Sequence, residues 1–301
     1  MKLRRLSSLA DAESGEAGLG NGSLALAGGT EVVPLLRDGL LAADTLVDVR
    51  GVLPREITPY DGGVRIGAGT TLTELEHADT AARVPDALRE ACRLSASPQI
   101  RNMGTIAGNL LQATRCWYWR LGHDCWLAGG EKCLARDGRS DEHAVFGNSR
   151  CASAHPSDPA AALLALGATV RTSRRDLPIA DLYRLPTDDD RTVTALEPGE
   201  LILEIDVPRP AASTYLKAMD RKRYAFALVG VAAVRSGESD EVGEDVRVAL
   251  AGVAPVPWLV ESHNGDAVGF GDATPLPGSA YKIELAQALI RRAKDAISET
   301  V

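Results

Sequence analysis

Short apolar runs broken by glycines dominate this chain, and helical spacing appears in only a few windows. Ser23-Leu24-Ala25-Leu26-Ala27 is a continuous small apolar run that predicts a buried strand over residues 23–27. It ends in Gly28-Gly29-Thr30-Glu31-Val32, and residues 33–41 have the spacing of a helix. Leu46-Val47-Asp48-Val49 and residues 64–69 alternate as strands do. Thr71, with Glu74 three residues later, predicts a capped helix. Over residues 86–95 a helix would place Leu88, Ala91, Cys92 and Ser95 on one apolar face. Asp158-Pro159 predicts another helix, with Asp158 as cap, proline in the first turn and Gly167 as the stop. Strands are expected at 168–172, 200–207, 215–219, 225–235 and 245–253, then a closing helix from Glu284. Residues 185–199, with Asp188, Asp189 and Asp190, read as a solvated connection. Strand runs closed by a helix predict a small α+β domain in the last third.

Composition narrows the functional classes. The chain has 301 residues, enough for two or three domains with a sizeable core. A net charge of −8 argues against a nucleic-acid partner, which would favour a basic face. No apolar run approaches a membrane span. Arg4 and Arg5 are paired near the start, but Asp11 and Glu13 interrupt the apolar stretch that a secretory signal would need next, so none is expected. The default compartment is then a reducing cytoplasm.

The cysteines change the picture most. Cys116, Cys125, Cys133 and Cys151 fall within 36 residues, whereas the fifth, Cys92, lies on an apolar helical stripe and reads as an inert core thiol. Two disulfides, a zinc ion or an iron–sulfur cluster would each hold such a loop together, and a reducing compartment disfavours disulfides. The loop lacks the C-x₂₋₄-C pairs usual in structural zinc sites, although His123, His143 and His155 are available for a mixed site. The aromatic run Trp117-Tyr118-Trp119 suits a cluster shielded from solvent, or equally an ordinary packed loop. Both metal readings stay open on these residues.

Several segments in order resemble the FAD-binding subunit of molybdenum hydroxylases, the family of xanthine dehydrogenase, carbon monoxide dehydrogenase and related aldehyde oxidoreductases. They are Ala27-Gly28-Gly29-Thr30-Glu31, residues 101–110 (RNMGTIAGNL), His155-Pro156-Ser157-Asp158, Gly199-Glu200-Leu201-Ile202, Tyr215-Leu216-Lys217 and Val253-Ala254-Pro255-Val256-Pro257. The resemblance implies an α+β chain. Residues 1–173 would form a two-subdomain FAD-binding domain of the vanillyl-alcohol-oxidase-like (PCMH) type, and residues 174–301 a carbon monoxide dehydrogenase flavoprotein-type domain. The cysteine-rich stretch 113–154 is an insertion relative to most of the family. It resembles the subgroup with an additional [4Fe-4S] cluster, as in 4-hydroxybenzoyl-CoA reductase and periplasmic-type aldehyde oxidoreductases, with Cys116, Cys125, Cys133 and Cys151 as ligands.

The implied function is an electron-transfer flavoprotein subunit of a heterotrimeric molybdenum hydroxylase. Electrons would pass between a large molybdenum-cofactor subunit, a small [2Fe-2S] subunit, FAD and an external acceptor. A self-contained flavin oxidase and a zinc-stabilised binding protein are the alternatives. By the same resemblance FAD would contact Ala25, Leu26, Ala27, Gly28, Gly29, Thr30, Glu31, Val32, Asn102, Thr105, Gly108, Asn109, Asp158, Ile202 and Lys217. Gly28, Gly29 and Thr30 would wrap the pyrophosphate, a use consistent with a strand–glycine turn–helix pattern. Asp158 would reach a ribose hydroxyl or only cap its helix. Ile202 and Lys217 would lie near the isoalloxazine, with Tyr224 and Phe226 over its face, unless Lys217 is a surface lysine and the aromatics are core. No residue stands out as a chemical catalyst.

Overall fold

The computed structural model describes residues 1–12, 19, 22–237, 246–260, 262–263, 266–267 and 270–298. A parallel three-stranded sheet comes first, made of β1 (Lys2–Arg5), β2 (Ser23–Leu26) and β3 (Thr45–Asp48) in the order β1-β3-β2. Parallel neighbours need a crossover, and helix α1 (Val32–Arg37) supplies the one between β2 and β3. The helix stops short of residue 41 because Gly39 turns the chain at φ +70°. No apolar alternation marks β1 in the sequence, since all four of its residues are exposed and it is held by backbone pairing to β3.

The second sheet contains β4 (Ile57–Tyr60), β5 (Gly63–Gly67), β6 (Thr169–Thr172), β7 (Asp176–Pro178) and β8 (Ile202–Pro208). Its order is β4-β5-β8-β6-β7, antiparallel throughout. The expected division at residue 173 falls inside this sheet, because β8 is its middle strand and pairs with β5 on one side and β6 on the other.

Helices α2 (Leu72–Glu76), α3 (Asp86–Leu94), α4 (Pro98–Arg101) and α5 (Ile106–Leu110) come after β5, and α6 (Trp117–Arg120) lies near the start of the cysteine-rich stretch expected to be an insertion. The capping box of α2 forms as the sequence predicts, with Thr71 and Glu74 bonded reciprocally. Helix α7 (Asp158–Leu166) has every residue buried, as an all-apolar helix must be. It packs on α3 and on the third sheet, and ends at Gly167 with φ +68°.

That third sheet is antiparallel, β12-β11-β10-β9, from β9 (Ala212–Ala218), β10 (Val229–Arg235), β11 (Val246–Ala251) and β12 (Trp258–Val260). β10 begins at Val229 rather than 225 because Tyr224 is in the left-handed region at φ +60° and residues 225–228 are irregular. Of the strand expected at 245–253, Asp245 lies outside the described residues. Helix α8 (Tyr281–Ser298) covers the sheet with Ala286, Leu289, Ile290, Ala293 and Ile297 inward, and starts one turn earlier than Glu284. Its first turn also buries Lys282, which donates to the Glu142 carbonyl in the insertion and the Gly252 carbonyl after β11, both at 2.8 Å. Burial lowers the Lys282 pKa to about 7.

Candidate cofactor site

Two glycine turns meet edge to edge. A Cβ on Gly28 would lie 1.8 Å from the carbonyl oxygen of Met103, so only glycine lets the turn after β2 approach the turn before α5. Gly29 adopts φ +73°, which aims the chain into α1. Across the junction, Thr105 caps α5 by accepting from the Gly108 N–H at 3.1 Å.

An elongated cleft runs between these turns as three adjoining cavities. One, of about 200 Å³, is walled by Ala25, Ala27, Gly28, Gly29, Thr30 and Val32, with Thr105, Gly108 and Ile202 opposite. A second, of about 320 Å³, shares Thr30, Glu31 and Gly108 with it and continues to Asn109, Asp158, Lys217, Tyr224 and Phe226. The third, of about 140 Å³, joins the first through Ala27, Gly28, Leu53 and Thr105 and holds Asn102, Arg50 and Arg55. Most of the residues expected from the sequence therefore line one cleft. Leu26 instead packs behind Gly29, its Cδ1 lying 3.5 Å from where a Cβ there would sit. Ile202 and Lys217 line different cavities and are not brought together.

Asp158 is not a helix cap. Ser157 takes that position, accepting from the Ala160 N–H at 3.1 Å while its hydroxyl donates to Asn109 Oδ1 at 2.6 Å. The Asp158 carboxylate is thereby free to accept from Tyr215 Oη at 2.5 Å, Lys217 Nζ at 2.7 Å and Ser95 Oγ at 3.1 Å. The Lys217 side chain is 1% exposed, so it is a buried partner rather than a surface lysine. Burial and the neighbouring Asp158 push the Tyr215 hydroxyl well above its ordinary pKa.

Glu31 stands at the N-cap of α1, yet its side chain makes no capping bond. It turns to the insertion, where Oε1 accepts from Arg120 Nη2 at 2.5 Å and the Ala113 N–H at 3.0 Å, and Oε2 pairs with Arg115 Nη2 at 2.8 Å. The Arg115 guanidinium also donates to Gln112 Oε1 at 2.8 Å and lies 4.7 Å from the Phe226 ring centre. Arg115, Gln112, Arg50 and Arg55 carry no signal in the sequence that marks them for this cleft.

Cys116, Cys125, Cys133 and Cys151 line one small apolar cavity with Tyr118, Trp119 and Trp126. The Cys151 thiol hydrogen-bonds Cys133, which lowers the Cys133 pKa and raises that of Cys151. Burial pushes Cys116 up to about 11. His143 contacts a cysteine, with Nε2 3.3 Å from Cys116 Sγ, whereas His123 lies against Tyr118 and His155 against Tyr183. Among the described residues, no three His, Cys, Asp or Glu side chains converge as ligands of a single ion. Cys92 is fully buried on the inner face of α3, and burial raises its pKa. Among the described residues no helix is long and apolar enough to cross a membrane.

A family model described as the FAD binding domain in molybdopterin dehydrogenase matches residues 4–210. The aldehyde oxidoreductase FAD-binding subunit PaoB of Escherichia coli is 38% identical over 286 residues, covering 88% of either chain. The carbon monoxide dehydrogenase medium chain of Afipia carboxidovorans is 29% identical, across 97% of this chain and 87% of that one. A chain in the crystal structure of the cyanide-inactivated Cu,Mo-CO dehydrogenase superposes with a TM-score of 0.73 at 24% identity, over 100% of this chain and 98% of that one. The expected mixture of helices and sheets is the architecture these chains share.

Proposed function

Because the chain belongs to the FAD-binding medium subunits of the molybdenum hydroxylases, we propose that it carries electrons between the metal centres of two partner subunits and an external acceptor. The large partner would hold a molybdenum cofactor and the small one a [2Fe-2S] cluster. The observation that carries this reading is the cleft itself: long, glycine-walled, and formed where two backbone turns meet. FAD fits such a cleft, and when bound it supplies the exchange of electron pairs for single electrons. Gly28, Gly29, Thr30, Thr105 and Gly108 would hold the pyrophosphate through backbone approach at the start of α1. The larger cavity suits the isoalloxazine because Phe226 and Tyr224 offer ring faces there and the Asp158–Lys217 pair fixes its wall. Ile202, with Val49 and Leu53, would form the apolar wall of the middle cavity. We place the FAD-binding part at residues 1–210, so that β8 stays with its sheet, and the C-terminal domain beyond it.

A [4Fe-4S] centre in the insertion is the second part of the proposal. Its support is the shared cavity of the four cysteines, since four cysteine side chains lining one apolar space would on deprotonation supply the four-thiolate ligation of such clusters. Each of the single changes to Ser at Cys116, Cys125, Cys133 and Cys151 should lower iron and acid-labile sulfide below about four per chain in anaerobically purified protein. FAD should stay bound in all of them. Cys92→Ser should keep both groups. Full iron in any loop variant, or zinc in place of iron in the parent, would refute the cluster. A parent chain purified without flavin would refute the FAD reading.

A further inference from the structure

We infer that Arg115 places an uncompensated positive charge and an unused hydrogen-bond donor beside the flavin ring, so that the cysteine insertion tunes the flavin as well as holding a cluster. This rests on the isoalloxazine occupying the larger cavity. The charges near that cavity do not cancel equally. Lys217 is matched one to one by Asp158 at 2.7 Å, so it adds little net charge. Glu31 is a single carboxylate shared by Arg115 at 2.8 Å and Arg120 at 2.5 Å, and that trio keeps one positive charge.

Of the two arginines, Arg115 is the one that faces the cleft, where the shared Glu31 also lies. Arg115 lines the larger cavity and the adjoining one that reaches Cys116, lies over Phe226, and has its Nε–H buried without a hydrogen-bond partner. A buried charged donor left unpaired is costly, and a carbonyl or ring nitrogen of a bound ligand would relieve that cost. With its Nε–H buried, the fixed cation acts on charge that develops beside it. Uptake of two electrons and one proton leaves the flavin ring with one net negative charge, so Arg115 favours the reduced state over the oxidised one. The same residue is joined by one peptide bond to Cys116, which makes it the covalent link between the two sites.

The test is a spectroelectrochemical titration of the FAD-loaded full chain, monitored at the flavin bands, for parent, Arg115→Gln and Arg115→Lys, with FAD and iron content measured alongside. Removing the charge should weaken the preference for reduced flavin about tenfold, a fall of about 30 mV for a two-electron couple. Arg115→Lys should recover most of the shift. An unchanged potential in both variants would overturn the inference while leaving FAD binding intact. Equal falls in both variants, accompanied by loss of iron, would also overturn it by showing that the residue acts only through the fold of the loop. A parent without FAD would fail the proposed function instead.

Discussion

Asp158 accepts three hydrogen bonds and carries the charge that keeps Lys217 buried. Asp158→Asn leaves that ammonium uncompensated, and breaking a buried pair on one side costs about 3–5 kcal/mol. Urea unfolding of Asp158→Asn and of the double variant Asp158→Asn/Lys217→Met should show the double variant recovering part of the loss. If the single variant loses under about 1 kcal/mol, the pair is not structural. Asp48 offers a pH test. Its hydrogen bonds to Arg50 hold its pKa at about 2, below the ordinary 3.8. A folded-state pKa lowered in this way adds stability above about pH 4, which is lost as pH falls through about 2. Asp48→Asn should therefore be less stable than the parent at neutral pH, and the gap should close over that window in acid denaturation. At this scale the sequence was informative about residue types and weak about their partners. The sequence pointed to Asp158 as the cap, and only Tyr215 and Lys217, more than fifty residues onward, draw its carboxylate away and leave Ser157 in that position.

Short elements capped by hydroxyls build the cleft, and backbone contact between two turns sets its width. Gly28→Ala should force those turns apart, since its Cβ would meet the Met103 carbonyl, a backbone atom that cannot rotate away. Reduced FAD content with the protein still folded by circular dichroism is expected. Gly29→Ala has more room, with nothing nearer than 3.4 Å, and its penalty comes from φ +73° instead. It should lower the melting temperature more than it lowers FAD content. On α8, Lys282→Met removes donors from two carbonyls and should destabilise by about 1–3 kcal/mol in urea unfolding. Helices α1, α2, α3, α7 and α8 were legible from apolar spacing or from their end signals, whereas the short α4, α5 and α6 were not. β1 was not, because an exposed edge strand needs no apolar alternation when its neighbour supplies the pairing.

Across the whole molecule, the fully buried α7 is the piece that both halves share, packed on α3 and on β10 and β11. A chain cut after residue 173 would lack β8 and expose the unpaired edges of β5 and β6, which invites association. Such a fragment should aggregate on expression, whereas one ending near 210 retains the complete second sheet. Soluble, monodisperse 1–173 protein by size-exclusion would contradict this. The boundary at 173 came from the family resemblance, and the polar stretch 185–199 read only as a solvated connection. What hid the continuation was that β8 pairs with strands far earlier in the chain, a non-local choice that spacing and composition do not encode.

The bond between Glu31 and Ala113 spans 82 positions of sequence, and it makes the cysteine insertion a poor candidate for transplantation. An engineer who excised 113–154 would leave a bare carboxylate at the turn proposed to hold the pyrophosphate. One who grafted those residues onto a chain without an acid at that turn would bring two arginines with no anion to meet them. Glu31 has to travel with the loop, so the unit of exchange here is two segments rather than one.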